Sequence, residues 1–276
     1  MSRQLITNYF PEMKLSKINA TSYKNIINEL AKCYVKDSVK RFNSHIRASI
    51  KVAFHLGILK NDFTEIVKVF SDVESKREED NYLELDEYGQ LITDYRKTIK
   101  YHSHFFLSTI GKTGLRFSEA AGITEPIVDR ENMCLRIRRT YKVYGKKKGW
   151  GPTKNPQSER DVPFDSEWLK AYDEYMKVGY IANPDKRLFT KLTGTGKNKI
   201  LKKKTRRTFN VHGLLHHTYV SWLIYHDVDA VTIAKLVEHK DATETLKTYS
   251  HLFKAKQEQS FDKVRNLIEK FGANSG

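Results

Sequence analysis

No apolar run in the chain approaches the roughly 18 residues that a membrane span requires, and Met1-Ser2-Arg3-Gln4 opens no signal-peptide hydrophobic core. The expected location is therefore the cytoplasm, with no membrane partner. Cysteine is nearly missing as well. Cys33 and Cys134 are far apart and fall in different expected elements, which excludes a disulfide framework and casts both as small buried hydrophobes. Internal repeats and low-complexity segments are absent. Gly194-Thr195-Gly196-Lys197 has the outline of a nucleotide-binding loop, but Lys191 stands where that motif needs its first glycine and no Ser or Thr follows Lys197. That reading is rejected.

Negative charge is the largest deficit. Asp and Glu number 33 against 49 Lys and Arg, a net charge of +16. So basic a surface repels itself unless it serves a polyanion, which points to nucleic acid ahead of an anionic membrane or an RNA-protein scaffold. Charge alone establishes non-specific affinity.

What is present reads as a soluble globular chain of one or two domains, 39% hydrophobic over 276 residues. From Met13 to Phe70 apolar residues recur at helical spacing: Tyr23, Ile26, Ile27 and Leu30, then Val39, Phe42, Ile46, Ile50, Ala53 and Phe54. Asp37 or Ser38 is the expected cap of the second helix and Gly57 its expected end. Lys40, Arg41, His45, Arg47 and Lys51 form a basic stripe on its polar face, a solvated face or a DNA-binding one. Ser75 through Asn81 holds nothing to bury and marks the expected boundary between domains 1–80 and 81–276. Beyond it, the pattern predicts a helix from Asp86-Glu87 through Ile99 and another from Phe105 to Ile110, ending at Gly111. A turn at Thr113-Gly114-Leu115-Arg116 follows, feeding a helix that Ser118 can cap. Residues 135–143 alternate as one strand, 161–164 as a second and 187–190 as a third. Between the first two lies a turn-rich connection carrying Lys146, Lys147, Lys148 and, near a turn, Lys154. Helices are expected at 167–178, 211–226, 230–237, 243–252 and 256–271.

Five groups of residues, taken together, resemble the tyrosine site-specific recombinases, the phage and transposon integrases. They are Thr113-Gly114-Leu115-Arg116 with Ser118-Glu119; Gly151-Pro152-Thr153-Lys154 with Ser158 and Arg160; His212-Gly213-Leu214 with His217-Thr218; Glu238-His239; and Thr248-Tyr249-Ser250-His251. Order and spacing agree over about residues 84–255, and residues 13–70 resemble the family's helical core-binding domain. The resemblance implies a mainly α fold with a small antiparallel β-sheet, in two domains closing on double-stranded DNA as a C-shaped clamp. It implies a 3′-phosphotyrosyl intermediate, with no cofactor, neither ATP nor metal. It also implies a homotetramer on two synapsed core sites, with DNA-bending and excision proteins as accessory partners. The family often has an N-terminal arm-binding domain as well, for which there is no room before Met13, so the sequence is expected either to be naturally short or to start near the core-binding domain of a longer chain.

The chemistry explains those residue types. A tyrosine phenol, with a reference pKa of about 10, needs a neighbour to take its proton, and a pentavalent phosphorane needs donors on its non-bridging oxygens. By resemblance Tyr249 is the nucleophile, Arg116 a phosphate ligand, Lys154 the general acid for the leaving 5′-oxygen, His239 a further donor, and Glu119 an orienting group. The basic DNA contacts are Lys40, Arg41, Arg47, Lys51, Lys146, Lys147, Lys148, Arg206 and Arg207.

One expected group is missing. The family reads His-x-x-Arg-His, whereas this chain reads His212-Gly213-Leu214-Leu215-His216-His217. Anchoring on His217-Thr218 puts His216 at the arginine position; anchoring on His212 puts Leu215 there. Either His216 serves as the donor, sharing a helical face with His212, or Arg206 or Arg207 folds in, or the protein binds DNA and cleaves it slowly or not at all. Glu238 is a second departure, where the family commonly has glycine. A catalytically inactive relative that occupies recombination sites is therefore the main alternative to an active recombinase. A monomeric topoisomerase-like enzyme is less favoured, because the Lys256 to Phe271 tail resembles the helix that links recombinase protomers. A metal nuclease built on His212, His216, His217 and His239 lacks an acidic ligand beside them.

Overall fold

The computed structural model describes residues 7–9, 14–74, 83–99, 101–145, 148–153, 158–190, 192, 212–250, 252–253, 261, 263–266 and 268–270. The chain forms two compact units, Met1–Arg77 and Glu78–Gly276.

In the first unit, helix α1 (Ala20–Cys33) starts at a reciprocal cap in which Asn19 Oδ1 accepts from the Ser22 amide and Ser22 Oγ accepts from the Asn19 amide. Its Tyr23, Ile27, Leu30 and Ala31 lie on one face and are buried against Val39, Phe42 and Ile50 of α2 (Lys36–His55) and Phe63 and Val67 beyond it. A polar pair inside, Tyr23 Oη donating to Asn43 Oδ1 at 2.6 Å, is matched. Two expectations change here. Neither Asp37 nor Ser38 caps α2, because the helix begins two to three residues earlier, with Val35 at its cap position and Asp37 in the first turn, beside the positive helix end. Cys33, off the buried stripe of α1, is exposed; Cys134 is buried, and both thiols are free.

The second unit is built around α4 (His102–Thr113), whose Phe105, Phe106, Leu107 and Ile110 are all fully buried. Helix α3 (Leu85–Arg96) packs on it so closely that a Cβ on Gly111 would meet Ile92 Cδ1 at 2.3 Å. Gly111 therefore serves the helix contact rather than ending the helix, which runs on to Thr113. Gly114, at φ 65°, closes it with its amide on the Ile110 carbonyl. Short helix α5 (Phe117–Ala121) follows directly.

The expected single strand over 135–143 is two strands in two sheets. Strands β1 (Val128–Asp129), β2 (Cys134–Ile137) and β5 (Arg160–Pro163) form an antiparallel sheet in the order β1-β2-β5, while β3 (Thr140–Lys142) pairs with β4 (Gly149–Gly151). The chain leaves one for the other at Arg138, whose guanidinium turns back onto the carbonyls of Ile137 and Arg160 at 3.0 and 2.9 Å. The expected strand 187–190 reduces to one bridge, Thr124 with Arg187. The Asn183 side chain holds both the amide and the carbonyl of Arg187, at 3.0 and 2.8 Å, and so displaces a ladder.

Helix α6 (Ser166–Val178), capped by Asp165, stacks Trp168, Tyr172 and Tyr175 into the core beside Phe105 and Phe189. A smaller cluster joins α7 (His217–Tyr225), α8 (Ala230–Val237) and the residues around α9 (Ala242–Thr248) through Tyr219, Val220, Leu223, Ile233, Val237 and Tyr249. The expected helix over 211–226 begins with a π turn, His212–His216, before α7. Helix α9 ends at Thr248 with Tyr249 as its cap residue, and Ser250, Leu252 and Phe253 beyond it are again helical. Of the expected 256–271 helix, residues 261, 263–266 and 268–270 are described and helical. Mainly α with small antiparallel sheets is thus the observed class.

Candidate active site

Arg116 sits where α4 hands over to α5, and Gly114 shapes that junction. At φ 65° Gly114 holds a backbone that side chains rarely adopt, and a Cβ there would lie 2.3 Å from the Tyr219 ring. The Arg116 amide donates to Glu119 Oε2 at 2.9 Å, so Glu119, and not Ser118 as expected, closes the start of α5. Glu119 is buried, and both its oxygens accept from the Arg160 guanidinium at 2.9 Å. Arg160 in turn donates to the carbonyls of Leu236 (2.8 Å) and Ser158 (3.1 Å). This fork ties β5, α5 and the end of α8 into one frame behind Arg116.

The front of Arg116 meets Glu238. The Arg116 guanidinium pairs with the Glu238 carboxylate and also donates to the Glu238 carbonyl at 3.0 Å. Ser158 Oγ donates to the other carboxylate oxygen. Burial pulls the Arg116 pKa below its ordinary value, with nearby Arg160 acting the same way and Glu119 opposing.

Three histidines line the remaining wall. His216 is buried, and its Nδ1 is 2.8 Å from the Gly114 carbonyl, which can only accept, so the ring carries its proton there. His217 Nδ1 lies 2.5 Å from the Tyr249 hydroxyl. His239 Nδ1 contacts Thr245 Oγ1 at 2.7 Å, and its ring is inclined by 25° to that of Tyr249 with centroids 6.4 Å apart. Its pKa is pushed below the usual histidine value, chiefly by burial; Glu244 opposes this and Arg116 adds to it. The His216 and His239 rings are 6.1 Å apart, which links the Gly114–Arg116 junction to the tyrosine. Tyr249 itself is buried.

Of the expected site residues, Arg116, Glu119, His216, His239 and Tyr249 are thus joined by a continuous set of contacts. His212 lies in the π turn, and its expected α-helical i, i+4 relation to His216 does not apply there, because a π turn closes at i+5. Its side chain is outside the described residues, as are Lys154, Lys146, Lys147, Arg206 and Arg207. Lys148 is exposed beside β4. Lys40, Arg41 and Lys51 are exposed on α2, whereas Arg47 is half-buried. Among the described residues, no three His, Cys, Asp or Glu side chains converge as a metal site. Sequence reasoning assigned no role to Ser158 or Arg160, and to His217 only a place in the disfavoured metal cluster, although all three stand inside the motifs that carried the resemblance. It marked Glu238 as a departure from glycine without assigning it a partner.

The profile of the phage integrase family matches residues 81–256. An integrase of Staphylococcus phage L54a is 24% identical over an alignment of 301 positions, covering 95% of this chain and 83% of its own length. Among solved structures, the Tn1549 transposon integrase in complex with a circular-intermediate DNA superposes with a TM-score of 0.71 at 16% identity, covering 93% of this chain and 91% of that one. The XerH site-specific recombinase in a post-cleavage complex with its difH substrate gives 0.69 at 14% identity, covering 94% and 77%.

Proposed function

The chain belongs to the phage integrase family, and from that premise we propose that it is a site-specific DNA recombinase in which Tyr249 cuts and rejoins DNA through a 3′-phosphotyrosyl link. The observation that carries this reading is the 2.5 Å contact between the Tyr249 hydroxyl and His217 Nδ1. A phenol is a weak nucleophile at neutral pH, and an imidazole nitrogen within hydrogen-bond reach is the acceptor it needs. The tyrosine oxygen bonds to phosphorus, its proton passes to His217, and the bond to the 5′-oxygen breaks. Lys154 supplies the proton that the leaving oxygen takes up. Arg116 and His239 donate to the non-bridging oxygens, with Glu119 and Arg160 holding Arg116 in place. Rejoining runs the same steps backward from an incoming 5′-hydroxyl. One phosphodiester replaces another throughout, so no external energy source enters the balance. Residues 1–80 serve as the core-binding domain and residues 81–276 as the catalytic domain, four copies acting on two paired sites.

The arginine that the family places before the helical histidine has no counterpart at Leu215 or His216. Loss of one transition-state donor slows such a step by about 10²–10³, so cleavage is slow. A second reading, a DNA-binding relative that does not cleave, is favoured by one observation: the Glu238 carboxylate is paired with Arg116.

Incubation with nicked, labelled core-site DNA, followed by denaturing electrophoresis, separates the two. A covalent adduct that is lost in Tyr249→Phe and falls about 10²-fold or more in His217→Gln, with DNA retention unchanged, is the expected result. Tight binding with no adduct supports the second reading.

A further inference from the structure

Glu238 occupies a position no ordinary side chain favours. It caps α8 at φ 62° and ψ 35°, in the left-handed region, and its side chain is only 4% exposed. Its two carboxylate oxygens meet the Arg116 guanidinium and the Ser158 hydroxyl. A cationic fork and a hydroxyl are also the donors that hold a phosphate oxygen. Glu119 cannot take over the pairing, because its oxygens already accept from Arg160 and the Arg116 amide.

We propose that the Glu238 carboxylate is a built-in occupant of the phosphate seat, and that an incoming phosphodiester must displace it from Arg116 and Ser158 before Tyr249 can react. The inference rests on the recombinase reading for its last step only. One negative charge replaces another, so Arg116 stays matched in both states. The two anions cannot share the seat, since like charges at this distance repel. The backbone need not move: the His239 amide bonds the Ala234 carbonyl at 3.0 Å, which pins the turn and leaves side-chain rotation as the opening motion. Ser158 becomes a phosphate ligand once the carboxylate has left.

Inorganic phosphate, titrated against chloride at equal ionic strength, is the probe, with thermal unfolding as the readout. Glu238→Gln is expected to bind phosphate about tenfold more tightly than the unmodified protein, and adding Arg116→Lys is expected to cancel the gain. Glu238→Gly, which also relieves the backbone, repeats the test if the glutamine variant folds poorly. Equal phosphate affinity in all the Glu238 variants and the unmodified protein overturns the proposal. The same proteins are then incubated with nicked core-site DNA. Tyr249-dependent adduct should rise about tenfold in the Glu238 variants. Adduct that forms in the unmodified protein and does not rise overturns the occupant but leaves the recombinase standing. A phosphate gain with no adduct in any variant leaves the seat assigned and overturns the recombinase.

Discussion

His239 is held neutral by its surroundings, and that has a consequence for stability. Burial is the main cause of its lowered pKa, Arg116 acts in the same direction, and Glu244 opposes both. A histidine whose folded pKa lies below its unfolded value, about 6.5, binds protons more readily when unfolded. Its contribution is therefore fully present above pH 6.5 and is lost as the pH falls through the folded value. Melting temperature is expected to fall as the pH is lowered from 7 to 5, and His239→Gln should show a shallower fall over the same range. Equal slopes would contradict the assigned environment. The same neutrality matters in the site: a neutral ring with Nδ1 at Thr245 Oγ1 presents an imidazole rather than a second cation beside Arg116.

At the scale of elements, the π turn at His212–His216 resolves the two incompatible anchors of the His-x-x-Arg-His pattern. One residue too many separates His212 from His217, and a turn that closes at i+5 takes up the extra one without ending the helix. Deleting Leu215 together with His216→Arg restores the His-x-x-Arg-His spacing. The adduct yield on nicked DNA is then expected to rise at least about tenfold, within the value of one transition-state donor; no rise would mean that the lost arginine is not what limits the site. The helices α1 and α2 were legible because their apolar residues repeat at helical spacing, and Arg116, His239 and Tyr249 stood out as candidates because each stands in a short local motif. The break at Arg138 was not legible: the lapse of alternation at Arg138-Arg139-Thr140 passes for an irregularity within one β-rich stretch over 135–143, and only the choice of pairing partner splits it. Nor were the Arg160–Glu119 and Ser158–Glu238 contacts, which join residues 41 and 80 positions apart. A local pattern carries no record of which distant side chain will meet it. Glu238 shows the limit well: the sequence marks an odd residue in a glycine-like place, and only the fold shows that it faces Arg116.

For the whole molecule, the net charge of +16 sets how it meets DNA. Lys40, Arg41 and Lys51 stand exposed on α2 as candidate phosphate contacts. If six to ten phosphates are neutralised, affinity should fall by about 10³–10⁵ between 50 and 200 mM salt, measured by retention of labelled duplex. A flat response would remove phosphate neutralisation as the basis of binding. Affinity alone, however, does not separate a recombinase from a protein that only occupies its site. The decisive measurement is the mass of the peptide left joined to nucleotide after the protein has reacted with nicked core-site DNA and both have been digested. The expected result is a single linked peptide containing Tyr249, with the nucleotide joined through its 3′-phosphate. Linkage to any other residue, or to a 5′-phosphate, would contradict Tyr249 as the group that holds the DNA between cutting and rejoining.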